Sequence, residues 1–186
     1  QVHNSYLVTQ DEHGVVIIDQ HALHERVMFE KIMQRLAAGP LESQRLLAPA
    51  VGDASESRND ALDRLQPLFA RLGVEASALG PASIGVHAFP TLLFDRRVDP
   101  ADFLTDLLEK AESRDLPAGD EEALHEIVDM MACKAAIKAG DHLSDQELAE
   151  LLDMRDRVAR SSNCPHGRPT TVRLSIRDLE KAFGRA

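Results

Sequence analysis

Long apolar runs, positive charge and cysteine are all scarce in this sequence. No stretch approaches the roughly 20 consecutive apolar residues that a membrane-spanning helix needs, so no membrane partner is expected. Gln1 opens without the basic and apolar regions of a secretion signal, and a cytoplasmic location is expected. Lys and Arg number 21 against 31 Asp and Glu, a formal net charge of -10. Cationic neutralisation of phosphates supplies most non-specific affinity for nucleic acid, so a domain of this charge does not grip DNA by its own electrostatics. The two cysteines, Cys133 and Cys164, are too few for the framework of a secreted scaffold. Each sits among other polar functional groups, which favours ligand or catalytic thiols over a staple. There is no internal repeat and no low-complexity tract. What is present suffices for a folded core: 186 residues, 44% of them hydrophobic, can form one substantial core or two small lobes sharing an interface.

Periodicity gives a mixed α and β order. Tyr6 to Asp19 reads as two short strands around a turn at Asp11 to Gly14, the second strand apolar enough to be buried on both faces. Gln20 to about Ala38 carries apolar residues at helical intervals without Pro or Gly, so a helix starts where the strand ends. Gly39 and Pro40 stop it, and Leu41 to Val51 has strand-like apolar content interrupted by Pro49, which suggests an edge strand or an exposed segment. A helix from about Glu56 to Leu72, strands at Val74 to Leu79 and Ser83 to Phe89, and a helix opened by Asp99 and Pro100 follow. Ser113 to Asp120 is the linker candidate, before a helix from Glu121 to about Ala139. Ser144-Asp-Gln-Glu supplies a capping box for a helix to about Arg160, with Leu148, Leu151, Leu152 and Val158 on one side. A loop holding Cys164 and His166, a strand at Thr171 to Ser175 and a short helix from Ile176 to Phe183 complete the chain.

Chemistry concentrates in two of these places. Asp19 ends a strand, His21 lies in the first helical turn, and Glu25 follows four residues later on the same helix face. Cys164 and His166 bracket Pro165 in Cys-Pro-His-Gly-Arg-Pro, where a stiffened backbone can aim both side chains at one ion. With Cys133 added, two thiols, two imidazoles and one or two carboxylates suit zinc or manganese better than magnesium or calcium, and shared carboxylates permit a two-metal site. A blander reading stands beside each part. His and Glu at helical spacing usually mark a solvated helix face, and Cys133 in Met-Met-Ala-Cys-Lys-Ala-Ala reads in isolation as a small buried thiol. His24, His87, His125 and His142 have no comparable company and receive no role.

The run Asp-Gln-His-Ala-Leu-His-Glu-Arg-Val-Met-Phe-Glu, residues 19–30, resembles the endonuclease signature of MutL C-terminal domains: Asp-Gln-His-Ala, two residues, Glu, four residues, Glu. Ala-Cys-Lys-Ala-Ala at 132–136, Cys-Pro-His-Gly-Arg-Pro-Thr at 164–170 and Phe-Gly-Arg at 183–185 resemble further family segments in the same order, and His-Asn-Ser-Tyr-Leu-Val resembles the family's first strand. Residues 51–120 carry little recognisable motif. The resemblance implies metal ligands at His21, Glu25, Cys133, Cys164 and His166, with Asp19, His21 and Glu25 catalytic and Glu30 in support; Arg168, next to Gly167, is a further support candidate from its place in the loop. Arg168 then either meets a DNA phosphate or supports the loop by hydrogen bonds to its carbonyls. Gln44-Arg-Leu-Leu-Ala-Pro49 is similar to the Gln-x-x-Leu-x-Pro peptide that engages the replication sliding clamp, which assigns Gln44, Leu47 and Pro49 to clamp binding.

An α+β fold of two lobes follows from the same resemblance. Residues 1–38 with 121–186 form a dimerisation subdomain carrying the metal site, and 39–120 an inserted external subdomain. The implied activity is homodimerisation and metal-dependent nicking of double-stranded DNA in mismatch repair, in a bacterial, nucleoid-associated setting. Zn2+ is expected in a structural or regulatory role and Mn2+ in nicking. ATP belongs to an N-terminal ATPase outside this chain, through which a MutS-type mismatch sensor also acts. The acidic charge fits a nuclease restrained until ATPase and clamp deliver DNA, a control by effective concentration. Two other readings stay open. One is a non-catalytic, zinc-stabilised dimerisation module in which Asp19 only caps a helix. The other is a hydrolase using Cys164 as nucleophile with His166, two residues close in sequence for a relaxed pair.

Overall fold

A computed structural model describes residues 1–113, 120–138, 140–157, 163–164 and 167–185. Its elements are β1 (Tyr6–Asp11), β2 (Gly14–Asp19), α1 (Gln20–Ala38), β3 (Ser43–Asp53), α2 (Glu56–Leu72), β4 (Glu75–Gly80), β5 (Ser83–Pro90), α3 (Thr91–Asp95), α4 (Pro100–Glu112), α5 (Asp120–Ala135), α6 (Asp145–Arg157), β6 (Thr171–Ser175) and α7 (Ile176–Ala182). The class is α+β, with two antiparallel three-stranded sheets ordered β1-β2-β6 and β3-β5-β4.

The first sheet begins with the hairpin that the alternation from Tyr6 predicts, its turn at Asp11 to Gly14. Successive strand residues point to opposite faces. Leu7, Val16 and Ile18 therefore enter a core with Leu23 and Val27 of α1, Ile137, Leu143 and Leu151, against which Leu148, Leu152 and Met154 pack. The expected burial of β2 on both faces holds for one face only. Val16 and Ile18 are buried, whereas Val15 and Ile17 are half-buried, because the strands beside them turn Val8 and Val172 toward solvent on that face. In α6 the capping box forms as read, Ser144 N–H donating to Glu147 Oε2 at 2.8 Å and Glu147 N–H to Ser144 Oγ at 3.3 Å. Val158 of the predicted stripe lies outside the described residues.

In the second sheet β5 is central and β3 lies at an edge, as Pro49 requires. Strand pairing shifts register between Arg45 and Ala50, around Pro49. Helices α2 and α4 pack on this sheet and on each other. Phe89 is fully buried, meeting Phe94 edge-on at 5.3 Å and Phe103 at 5.5 Å. Asp99 caps α4 by accepting from the Ala101 and Asp102 N–H groups, each at 2.9 Å. Gly73 ends α2 in the left-handed region at φ 71, where an added Cβ would meet Leu41 O at 2.7 Å. The five-residue α3 is unforeseen, since one turn is too short to show a period.

The chain divides into two compact units, residues 1–30 with 136–186, and residues 31–135. The sequence-based boundaries near 38 and 121 differ from these because Lys31–Ala38 and α5 go with the second sheet. Ion pairs Arg71–Glu121 at 3.0 Å and Lys110–Glu126 at 2.7 Å tie α5 to α2 and α4. α5 ends at Ala135, earlier than the predicted Ala139, and residues 114–119 of the linker candidate lie outside the described residues.

Candidate metal centre

The strand-to-helix junction fixes two side chains through backbone groups and sets a third beside them. Asp19 ends β2, where its own N–H donates to Thr170 O at 2.8 Å. Its Oδ1 accepts from Ala22 N–H at 3.0 Å, capping α1. His21 Nδ1 lies 2.6 Å from Ile137 O. A carbonyl oxygen only accepts, so Nδ1 carries a proton, and in the neutral imidazole the lone pair is on Nε2. That Nε2 stands 3.3 Å from Oε1 of Glu25, a residue 1% exposed. Two acceptors facing each other at this distance are reconciled by a shared proton or a shared metal ion. The spacing fits a metal, since two ligands about 2.0–2.1 Å from a tetrahedral ion are separated by about 3.3–3.4 Å.

The Cys164 loop reaches the same junction. Cys164 is fully buried, and its loop closes through Cys164 N–H to Arg168 O at 2.8 Å and Gly167 N–H to Cys164 O at 2.9 Å. Arg168 Nη2 stands 4.0 Å from Glu25 Oε2, with its side chain largely exposed. A hydrogen bond to the Cys164 side chain, then the charges of Cys164, Glu25 and Asp19, hold the Arg168 guanidinium above its ordinary value. Arg168 thus stands within ion-pair distance of Glu25. The loop carbonyls are held by a different arginine, Arg26, which donates from Nε to Asn163 O at 2.8 Å and from Nη2 to Cys164 O at 3.0 Å. Glu30 accepts from Arg26 Nη1 at 3.2 Å.

Asp19, His21, Glu25, Cys164 and Arg168 thus gather in the first compact unit, with Glu30 joined through Arg26. Among the described residues no three His, Cys, Asp or Glu side chains close round an ion, and His166 lies outside those residues. Cys133 is exposed on α5, in the second unit; the buried thiol read in isolation is not found, since buried Ala132, Ala135 and Ala136 take the inward positions. Gln44, Leu47 and Pro49 are all exposed along β3, Leu47 completely, at the register shift. Among the unassigned histidines, His24 is buried and His87 pairs with Ser77 Oγ at 2.8 Å.

Two functional features escaped the sequence reading. Arg26 had a signal in its i, i+4 spacing to Glu30. The other is an apolar outer face on the first sheet, where Tyr6 is 47%, Val8 51%, Val172 57% and Leu174 38% exposed beside half-buried Val15 and Ile17. Ile176 of α7 is also half exposed.

An α+β domain with an open apolar sheet face, and with an acid-imidazole-thiol cluster at a strand-to-helix junction, is the class defined by these residues. The family model described as "MutL C terminal dimerisation domain" matches residues 1–143, and the chain belongs to that family. The proteins named "DNA mismatch repair protein MutL" from Bradyrhizobium sp. (strain ORS 278) and Chelativorans sp. (strain BNC1) are each 36% identical over 185 residues, covering 100% of this chain and 30% of the relative. The protein of that name from Brucella abortus (strain S19) is 34% identical over 185 residues, covering 100% of this chain and 29% of its own length. The chain thus spans about 30% of the length of these relatives. The Cys164 loop lies beyond the family match and within the stretch shared with the relatives. No helix among the described residues is long and apolar enough to cross a membrane.

Proposed function

We propose that this chain is the self-associating part of a mismatch repair protein and carries a metal-dependent site that nicks double-stranded DNA. The observation that carries the reading is the meeting of the Asp19–Glu25 junction with the Cys164 loop, segments remote in sequence held together by Arg26. A divalent ion bound there supplies Lewis acidity toward a phosphate oxygen and a water activated for attack. His21 offers Nε2 because Nδ1 is committed to Ile137 O, and buried Glu25 and Cys164 offer a carboxylate and a thiol. His166 and Cys133 enter the proposed ligand set from the sequence resemblance alone. Asp19 caps α1 with one oxygen, and its second oxygen is assigned to the catalytic metal or its water. Zinc suits the thiol and imidazole ligands, and manganese the nicking step.

Self-association is assigned to the outer face of β1-β2-β6, since an apolar surface of Val, Ile, Leu and Tyr side chains is stabilised by removal from water. The exposed Gln44, Leu47 and Pro49 on an edge strand suit addition of an extended peptide to a sliding clamp. The ATPase and the contact with a mismatch sensor belong to other parts of the whole protein.

The reading is tested by nicking of supercoiled plasmid in manganese, with and without clamp. Asp19→Asn and Glu25→Lys are expected to abolish nicking while leaving the dimer intact; undiminished nicking by either overturns the site. A double alanine change at Gln44 and Leu47 is expected to remove clamp stimulation alone. A dimer that binds zinc tightly and never nicks, even with clamp, would favour the non-catalytic module.

A further inference from the structure

Arg26 is buried in the first unit, 8% exposed. Burying a guanidinium is costly unless its N–H groups are paired, and here all three nitrogens donate. Nε and Nη2 take consecutive carbonyls, Asn163 O at 2.8 Å and Cys164 O at 3.0 Å, and Nη1 takes Glu30 Oε1 at 3.2 Å. The Phe29 ring lies beneath the guanidinium, with its centroid 5.5 Å from Arg26 Cζ. The loop supplies its own shape through Asn163 Nδ2 to Gly167 O at 3.0 Å and the Asn163–Pro169 bridge. Its internal bonds do not determine where it stands on α1. Asp19 N–H holds the far end of this segment through Thr170 O at 2.8 Å, and Arg26, next to Glu25, holds its Asn163–Cys164 end.

We propose that Arg26 is a positioning residue of the metal centre: it sets the place of the Cys164 thiol against His21 and Glu25, and Glu30, the last residue of the signature, acts by orienting Arg26. This rests on the metal reading above. A planar fork spans two carbonyls and a carboxylate at once, whereas an ammonium on a flexible stem does not. Arg26→Lys therefore keeps the charge and loses the clamp. At Glu30 an amide oxygen still accepts from Nη1, so Glu30→Gln keeps the orientation that Glu30→Ala removes.

The experiment titrates the metal-free chain with Co2+, following thiolate-to-cobalt charge-transfer absorption, and in parallel measures alkylation of Cys164 in the metal-free protein, peptide by peptide. Arg26→Lys is expected to weaken cobalt affinity about 10- to 100-fold, the usual effect of losing an outer-shell partner, and to speed Cys164 alkylation as the loop lifts. Glu30→Ala is expected to shift both in the same direction by less, and Glu30→Gln to restore them; this pair decides the matter should Arg26→Lys fail to fold. Wild-type affinity, band and alkylation rate in Arg26→Lys and Glu30→Ala would overturn the positioning role and leave the metal reading standing. A wild-type chain without any charge-transfer band would overturn both.

Discussion

The two sheets have equal strand number and differ in the make-up of their second face. In β3-β5-β4 the core face lies under α2 and α4. Its other surface carries a Ser77–His87 hydrogen bond and an Arg45–Glu75 ion pair at 3.0 Å that spans β3 to β4, beside exposed Val51 and Leu79. In β1-β2-β6 the core face is equally dry, yet the outer face presents Tyr6, Val8, Val172 and Leu174 to solvent. In β3-β5-β4 polar pairs interrupt the exposed apolar residues; in β1-β2-β6 the apolar side chains stand side by side, a surface that removal from water would stabilise.

Five changes would break or sharpen that contrast. The largest effect belongs to the self-contained unit. Phe103 is 1% exposed and packs on Phe89, so Phe103→Ala is expected to cost about 3–5 kcal/mol in denaturant unfolding. A loss below 1 kcal/mol would mean that this core is not closed. Next, Val172→Asp puts a charge on the open face beside Ile17 of the central strand and is expected to weaken the dimer about 100-fold, close to 3 kcal/mol, in sedimentation. Val51→Asp, at an equally exposed valine on the other sheet, should leave the mass unchanged; equal loss in both would erase the distinction. Asp99→Ala removes the α4 cap and should lower stability by about 1 kcal/mol without altering association.

The smallest effect concerns pH. Two hydrogen bonds of 2.6 Å join Arg173 to both Asp11 oxygens, linking β1 to β6. The Arg173 hydrogen bond, followed by one from the His13 backbone, holds the Asp11 carboxyl well below its ordinary value of 3.8. A carboxyl depressed in the folded state contributes stability fully present above the unfolded value and lost as pH falls through the folded one. Asp11→Asn should thus melt slightly earlier at pH 7, and the difference should narrow only below about pH 4. A gap constant down to pH 2 would remove the electrostatic explanation.

Much of the fold was legible because the signals are local. Alternation from Tyr6, the Asp99-Pro100 pair and the Ser144–Glu147 box each specify an element within a few residues. Of the site, the acid-imidazole half was legible from helical spacing, since His21 and Glu25 lie one turn apart. The rest was not. Nothing local says that Arg26 takes the Asn163 and Cys164 carbonyls, and Arg168 was a natural but different candidate for loop support. The apolar run of β2 was read as twofold burial because sequence counts apolar side chains without saying what covers them.

By itself the sequence determined the order of elements, the edge position of the strand containing Pro49, the capped helix starts and a pair of ligand types on one turn, all consequences of short-range sterics and hydrogen bonding. Only the tertiary structure decided that the Cys164 loop sits on the first turns of α1, that Glu30 serves Arg26, and that one sheet keeps an apolar face open. Those facts depend on contacts between residues distant in the chain, where shape and burial choose among many pairings that composition alone leaves equal.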